Sequence, residues 1–265
     1  MATTGGFAVP EFDSFPPGTP SWVDLSSGDF EATQAFYCPL FGWDIEDPGY
    51  GTARPGYLIF TKNGKRVGGL GTWGFEPLPT SWNTYVTVAD IHQTTEVVAR
   101  SGGRTVVEAT DIPNAGRLAV FADPSDAYFG AWQPGRRHGV EIANESGALC
   151  WNELQTRHVD EAVTFYHQVF GWGAETSQLS GMSYTEWKLG ESSVGGMIAL
   201  PADVPPHAPS FWLSYFGVDD TDQCVEQATA LGAAIYAEPM DIPAGRFAVL
   251  GDPTGIAFAV IKRSS

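Results

Sequence analysis

The chain repeats its own sequence at an offset of about 129 residues, and this repeat limits the possible folds more than any other feature. A Phe-Tyr pair followed by Phe-Gly-Trp occurs twice, ending at Trp43 and again at Trp172. Other landmarks keep the same order and nearly the same offset. The paired positions are Trp22 and Trp151, Gly69 and Gly196, Trp82 and Trp212, Asp111 and Asp241, Arg117 and Arg246, and Asp123 and Asp252. A repeat at a fixed period marks repeated structural units. We therefore predict two similar domains, 18–134 and 147–265, with a tail at 1–17 and a linker at 135–146.

Each copy shows the same order of strand and helix patterns twice. In the first copy a short alternating run at Trp22 precedes the helix-spaced residues Thr33, Phe36 and Leu40, and strand-like runs follow. The order then restarts at Tyr85. These patterns predict an α+β fold made of four βαβββ modules. They leave open whether modules pair within one copy or across copies.

Charge and composition exclude several classes of partner. The 265 residues include 14 basic and 31 acidic side chains, for a formal net charge of −17. This charge repels nucleic acid phosphates and anionic lipid, so neither is an expected partner. Three widely spaced cysteines indicate reduced thiols, and the N-terminal residues lack a signal-peptide pattern, so we expect a cytoplasmic protein. The sequence leaves a monomer and a homodimer equally open.

The motifs together resemble one known family. The Phe-Tyr and Phe-Gly-Trp motifs, the Gly-Gly strand and the closing Asp-Pro strand are similar to the vicinal oxygen chelate superfamily, which includes glyoxalase I, bleomycin-resistance proteins and extradiol dioxygenases. The likeness is greatest to two-domain glyoxalase-like proteins of actinobacteria. It implies tandem domains whose modules form cup-shaped mixed sheets with helices outside. Each cup would hold a small ligand and, in many members, a divalent metal.

The metal-ligand positions that the resemblance implies carry the wrong side chains. In the first copy these four positions are Trp22, Gly69, Asn83 and Gly130, and in the second they are Trp151, Gly196, Leu213 and Ala259. Divalent metals in proteins take imidazole, carboxylate or thiolate ligands, which neither set supplies. We therefore predict a protein without a metal or other cofactor.

Two pairs of residues are the main candidates for function. Trp22 and Asp24 share one face of their strand, as do Trp151 and Glu153, and in the family this face lines the cup. On the functional interpretation, the indoles bind an aromatic ligand while Asp24 and Glu153 act as acid or base. On the structural interpretation, the tryptophans only fill the former metal site and the carboxylates bind loop backbone.

Other candidates are weaker. Asn83 is expected to contact the ligand from the start of the second module, and Trp82 and Trp212 are further candidate ligand contacts. Arg117 and Arg246 follow a repeated Asp-Ile-Pro turn. Each arginine either forms an ion pair with the aspartate of its turn or binds an anionic ligand.

Three functions remain open. The first is a metal-independent enzyme that acts on a bulky apolar or aromatic molecule by acid–base chemistry, as in tailoring or detoxification in secondary metabolism. The second is a bleomycin-resistance-like protein that binds such a molecule without chemistry, and the acidic net charge favours a neutral or cationic ligand. The third is a metal-dependent glyoxalase or dioxygenase.

Overall fold

The computed structural model describes residues 13–50, 56–71, 80–179, 181–200, 204 and 208–264. Most of the predicted tail, residues 1–12, lies outside this range. The first domain consists of β1 (Pro20–Ser26), α1 (Phe30–Phe41), β2 (Asp44–Glu46), β3 (Leu58–Lys62), β4 (Lys65–Gly71), β5 (Ser81–Thr87), α2 (Ile91–Arg100), β6 (Arg104–Ile112), β7 (Gly116–Ala122) and β8 (Tyr128–Pro134). The second consists of β9 (Leu149–Thr156), α3 (Val159–Phe170), β10 (Gly173–Leu179), β11 (Met182–Leu189), β12 (Ser192–Ala199), β13 (Phe211–Gly217), α4 (Thr221–Ala230), β14 (Ala234–Ile242), β15 (Gly245–Gly251) and β16 (Ala257–Arg263).

Each domain forms one curled, eight-stranded mixed sheet. The strand order is β2-β3-β4-β1-β5-β8-β7-β6 in the first and β10-β11-β12-β9-β13-β16-β15-β14 in the second. Strand β1 pairs antiparallel with β5, and β9 pairs antiparallel with β13, so the two modules of each copy join through their first strands. The modules therefore pair within a copy, which the sequence had left open. We call the concave faces of the two sheets the first and second cups.

The repeated Phe-Gly-Trp motif ends a helix and attaches it to the other domain. Gly42 and Gly171 follow α1 and α3 in the left-handed conformation, at φ of 68° and 73°, which glycine adopts without a steric penalty. The chain then turns so that the Trp43 indole donates to the carbonyl of Gly147 at 2.7 Å. The Trp172 indole likewise donates to the carbonyl of Gly18 at 2.7 Å. Each motif therefore joins its helix to the first residues of the opposite copy.

The hydrophobic core lies between the two domains. Helix α1 packs near α4, and α2 packs near α3. The ring of Phe41 lies 5.1 Å from that of Phe216, and Phe129 lies 5.9 Å from Phe165, measured between centroids. The helices cover the convex faces of the sheets, so the cups lie on the faces turned away from this interface. Among the described residues, none of the helices is long and apolar enough to cross a bilayer.

Candidate functional site

Alternation along β1 separates the core face from the cup face. Val23 and Leu25 are fully buried in the core between the domains. Trp22 and Asp24 point to the other face, and Trp22 lines a cavity in the first cup. This is the arrangement that the strand periodicity predicts.

The Asp24 carboxylate is buried in the first cup and accepts hydrogen bonds from the side chains of Tyr57, Tyr85 and Asn83. Its Oδ2 accepts from the hydroxyl of Tyr57 at 3.1 Å and from that of Tyr85 at 3.0 Å. Its Oδ1 accepts from the amide nitrogen of Asn83 at 3.2 Å. The Trp22 indole donates to the Tyr57 oxygen at 3.1 Å. These five residues are here called the Asp24 cluster. Asp24 itself is only 1% exposed, and its partners supply the hydrogen bonds that a buried polar group requires.

Two glycines make room for these tyrosine rings. A Cβ atom on Gly69 would lie 2.0 Å from the Tyr57 hydroxyl oxygen, and one on Gly130 would lie 2.2 Å from the Tyr85 ring. Both glycines stand at positions where the family resemblance implies metal ligands. The tyrosine side chains therefore fill space that ligand side chains at these positions would need.

The residues present do not fit a divalent metal. Of the four implied ligand positions in the first cup, two are glycines, one is the Trp22 indole, and one is Asn83, whose amide group already donates to Asp24. Among the residues that the structure describes, no group of three or more His, Cys, Asp or Glu side chains converges as a metal site. A single carboxylate surrounded by hydrogen-bond donors is a poor ligand set.

The first cup contains an open cavity that is rich in aromatic side chains. The space between its walls is about 490 Å³, including the part open to solvent. The lining residues are Trp22, Tyr50, Tyr57, Ile59, Arg66, Tyr85, Ile112, Leu118, Trp132, Arg137 and Gly139. Asp24 and Asn83 are absent from this lining. Of the Asp24 cluster, only Trp22, Tyr57 and Tyr85 belong to the described lining, and sequence reasoning missed the two tyrosines.

Part of the predicted linker forms a wall of this cavity. Val140 donates from its backbone nitrogen to the Ser21 carbonyl on β1 at 2.8 Å. Glu141 donates in the same way to the Arg66 carbonyl on β4 at 2.8 Å, and its carboxylate accepts from the Arg66 backbone nitrogen. The segment thus bridges β1 and β4 at the end of the cup, which places Arg137 and Gly139 beside the ligand space.

The second cup keeps the same cluster with different neighbours. The Glu153 carboxylate accepts from the Tyr215 hydroxyl at 3.0 Å and from the side chains of Gln155 and Tyr184. The Trp151 indole donates to the Tyr184 oxygen at 2.8 Å, which repeats the Trp22 contact of the first cup. Burial raises the pKa of Glu153 to about 7, although the donors favour its charged form.

Three substitutions make the second cup more aliphatic than the first. Where the first cup has Asn83, Gly130 and Trp132, the second has Leu213, Ala259 and Ile261. Leu213, Ala259 and Ile261 are buried against one another. The second cup therefore lacks both the amide that binds Asp24 and the indole at the wall.

Trp82 and Trp212 do not face the cups, and the expectation that they contact a ligand is corrected. They are 3% and 5% exposed and point into the core between the domains. Each directly precedes a cup-facing residue on its strand, Asn83 or Leu213, so its own side chain lies on the opposite face. The Trp82 indole donates to the Tyr37 oxygen at 3.2 Å. The Trp212 indole donates to the Tyr166 oxygen at 3.0 Å.

Arg117 and Arg246 form ion pairs and do not line the first-cup cavity. Arg117 donates to Asp111 at 2.7 Å, as the turn motif suggested. Arg246 donates to both carboxylate oxygens of Asp222, at 2.7 and 2.8 Å, and lies 3.3 Å from Asp241. The interpretation of these arginines as structural ion pairs is therefore supported over an anion-binding role.

Sequence comparison identifies the family. A profile of the Glyoxalase/Bleomycin resistance protein/Dioxygenase superfamily matches residues 19–129 and again 136–260. The chain belongs to this superfamily, the vicinal oxygen chelate superfamily. The first match covers most of the first sheet, and the second covers most of the second sheet together with the preceding linker.

Two relatives match over nearly the full length of the chain. The chain is 39% identical over 262 residues to the putative glyoxylase CFP32 of Mycobacterium tuberculosis, covering 96% of this chain and 98% of that protein. It is 33% identical over 267 residues to the anthracycline biosynthesis protein DnrV of Streptomyces peucetius, covering 94% of both chains.

Solved structures share the fold at low sequence identity. The Mn(II)-bound glyoxalase from Novosphingobium aromaticivorans matches with a TM-score of 0.65 at 15% identity, over 93% of this chain and 82% of that one. The 2,2',3-trihydroxybiphenyl 1,2-dioxygenase from Sphingomonas wittichii matches with a TM-score of 0.64 at 12% identity, over 93% and 91% of the two chains. At such identity the likeness concerns the fold alone.

Proposed function

We propose that the first cup binds a planar, oxygenated aromatic molecule without a divalent metal and transfers protons on it through the Asp24 cluster. The observation that carries the proposal is the position of two tyrosine hydroxyls on one carboxylate oxygen, in an aromatic cavity, at the site that metal ligands occupy in the family. The name of the relative DnrV supports this class of ligand, because anthracyclines are fused-ring, oxygenated aromatic molecules.

The cavity lining supports recognition of flat rings. Five aromatic side chains line it: Trp22, Tyr50, Tyr57, Tyr85 and Trp132. The rings of Tyr50 and Tyr57 already stack, with centroids 6.0 Å apart. Aromatic pairs contribute about 0.5–1.5 kcal/mol beyond area burial, so several such contacts favour an aromatic over an aliphatic ligand.

The Asp24 cluster provides a route for a proton that needs no cofactor. Tyr57 takes a proton from the ligand as it passes its own hydroxyl proton to Oδ2 of Asp24. The protonated Asp24 then returns a proton through Tyr85 to a second position on the ligand, and Tyr85 recovers its proton in the same step. Atoms and charge balance over the cycle, so the class of reaction is an isomerisation or tautomerisation.

Exchange of ligand hydrogen tests the chemistry. Anthrone has acidic hydrogens at C10, and their replacement by deuterium in D2O is followed by proton NMR. Wild-type protein should accelerate the exchange, and Asp24→Asn should abolish the acceleration while retaining anthrone binding and the wild-type Tm. Glu153→Gln, the matched change in the second cup, should leave it intact. Acceleration that survives Asp24→Asn would exclude Asp24 from proton transfer.

Binding without exchange would favour the second candidate function. The same aromatic cavity suits a protein that binds and retains a drug-like molecule. In that case aromatic probes quench tryptophan fluorescence, Tyr57→Phe and Tyr85→Phe weaken the binding, and no variant changes the exchange rate. The matched changes Tyr184→Phe and Tyr215→Phe in the second cup should leave this binding unchanged.

A further inference from the structure

Both charged residues in the described lining of the first cup are basic, although the protein as a whole is strongly acidic. The chain has a net charge of −17, yet the described lining of the cavity includes Arg66 and Arg137 and neither Asp nor Glu. Electrostatic complementarity of a cavity with its ligand depends on these nearby groups more than on distant surface charge, which salt screens.

Arg66 is already neutralised by carboxylates of the protein. Its guanidinium lies 2.7 Å from a Glu46 oxygen and 3.6 Å from a Glu141 oxygen, and its side chain is only 13% exposed. This arginine braces the contact between β4 and the linker segment. A ligand anion at this position would have to compete with two carboxylates.

The backbone of Arg137 is fixed by hydrogen bonds, whereas its guanidinium group has no hydrogen-bond partner among the described residues. Its backbone nitrogen donates to the Ala115 carbonyl at 3.0 Å, and its carbonyl accepts from the Trp132 indole at 2.9 Å. Its side chain is exposed and makes no hydrogen bond or ion pair with any described residue. The residue is therefore fixed beside the aromatic wall while its charge remains available.

We infer that Arg137 binds an acidic substituent, a carboxylate or an ionised phenol, on the aromatic ligand of the first cup. This inference rests on the proposed function and narrows the ligand to an aromatic acid. Guanidinium groups bind such oxygens through charge-assisted hydrogen bonds. The local charge thus reverses the preference for neutral or cationic ligands that the net charge suggested.

Two probes with the same ring system separate charge from stacking. Anthraquinone-2-carboxylate and 2-(hydroxymethyl)anthraquinone differ in the charge of one substituent, and quenching of tryptophan fluorescence measures the affinity for both. The wild-type protein should bind the acid about tenfold more tightly than the alcohol at low salt, an advantage that shrinks at high salt. Arg137→Gln should remove this advantage by weakening binding of the acid about tenfold, to the affinity of the alcohol, and Arg137→Lys should restore part of it.

The adjacent arginine provides a matched control. Arg136 is exposed on the same segment but does not line the cavity. Arg136→Gln should keep the preference for the acid. Equal affinity of the wild type for the two probes, or an equal loss of both in Arg137→Gln, would overturn the inference while leaving the proposed function in place. If neither probe binds the wild-type protein, the proposed function fails and the inference fails with it.

Discussion

The hydroxyl of Tyr37 in the first domain donates a hydrogen bond of 3.1 Å to the carboxylate of Asp252 in the second. The reciprocal bond, from Tyr166 to Asp123, has the same length. Each aspartate also accepts backbone N–H groups of its own turn through its other oxygen. The Phe-Tyr and Asp-Pro motifs of the repeat therefore meet across the domain interface in both directions, which accounts for their presence in both copies.

Removing the Tyr37 hydroxyl should destabilise the two-domain unit. Tyr37→Phe leaves the buried Asp252 short of a donor and the Trp82 indole without its acceptor, at an expected cost of about 1–3 kcal/mol in the free energy of unfolding. Urea denaturation measures this cost, and Tyr166→Phe should give a similar value. Tyr236, whose hydroxyl donates to a backbone carbonyl from an exposed position, is the control. If Tyr236→Phe costs as much as Tyr37→Phe, the interface bond is not a major source of stability.

Stability should fall as the pH rises through the titration of Glu153. Burial raises its pKa from the ordinary 4.5 to about 7, so the folded state binds this proton more tightly than the unfolded chain does. The stabilisation of the folded state that comes from protonated Glu153 is fully present below pH 4.5 and is lost as the pH rises to about 7. Over this window Glu153→Gln should gain stability relative to wild type by on the order of 3 kcal/mol, measured by urea unfolding at several pH values.

A substitution at Gln155 tests whether the pKa of Glu153 is raised. Gln155 donates to the Glu153 carboxylate and favours its charged form. Gln155→Ala should therefore move the pH dependence to higher pH. A stability difference between Glu153→Gln and wild type that stays constant from pH 4.5 to pH 8 would contradict a raised pKa.

Adding one methyl group at Gly69 should disable the first cup. The new Cβ would lie 2.0 Å from the Tyr57 hydroxyl, so the ring must leave the Asp24 cluster. We expect Gly69→Ala to lose aromatic probe binding and about 1–3 kcal/mol of stability, as overpacked sites do. Gly196→Ala, which crowds Tyr184 in the second cup, should cost similar stability but retain binding. Gly28→Ala meets no atom within 4 Å and should change neither property.

Trp22 lines the first cup and Trp82 lies in the core, although the sequence predicts both as ligand contacts. Trp82→Ala should cost about 3–5 kcal/mol of stability, because it leaves a cavity in the core between the domains. Trp22→Ala should cost less, because Trp22 is only partly buried, and should abolish probe binding. Thermal unfolding and fluorescence titration check the two properties. The opposite distribution of effects would place Trp82, and not Trp22, at the ligand.

The sequence predicts the fold well because the repeat and the alternating strands encode it. The faces of Trp22 and Asp24 follow directly from strand periodicity. The sequence does not show that Trp82 faces the core and not the cup. Its strand is buried on both faces and carries aromatic residues on both faces, so composition does not separate the cup face from the core face.

The polar core of the site was only partly accessible to sequence reasoning. Tyr57 reaches Asp24 from 33 residues away, and Tyr85 from 61, so no local spacing reveals the cluster. The repeat did contain a signal, since both tyrosines have counterparts in Tyr184 and Tyr215. Arg137 had no such signal, because it lies in a segment without a counterpart in the second copy.

The central claim is that the first cup binds an aromatic ligand through its tyrosines and without a metal. Isothermal titration calorimetry of 1-hydroxyanthraquinone into EDTA-treated protein tests this claim most directly. The account predicts one bound molecule per chain, an affinity unchanged by added Mn²⁺ or Zn²⁺, and a clear loss of affinity in the Tyr57→Phe/Tyr85→Phe double variant. Binding that appears only after a divalent metal is restored, or that survives the loss of both hydroxyls unchanged, would contradict it.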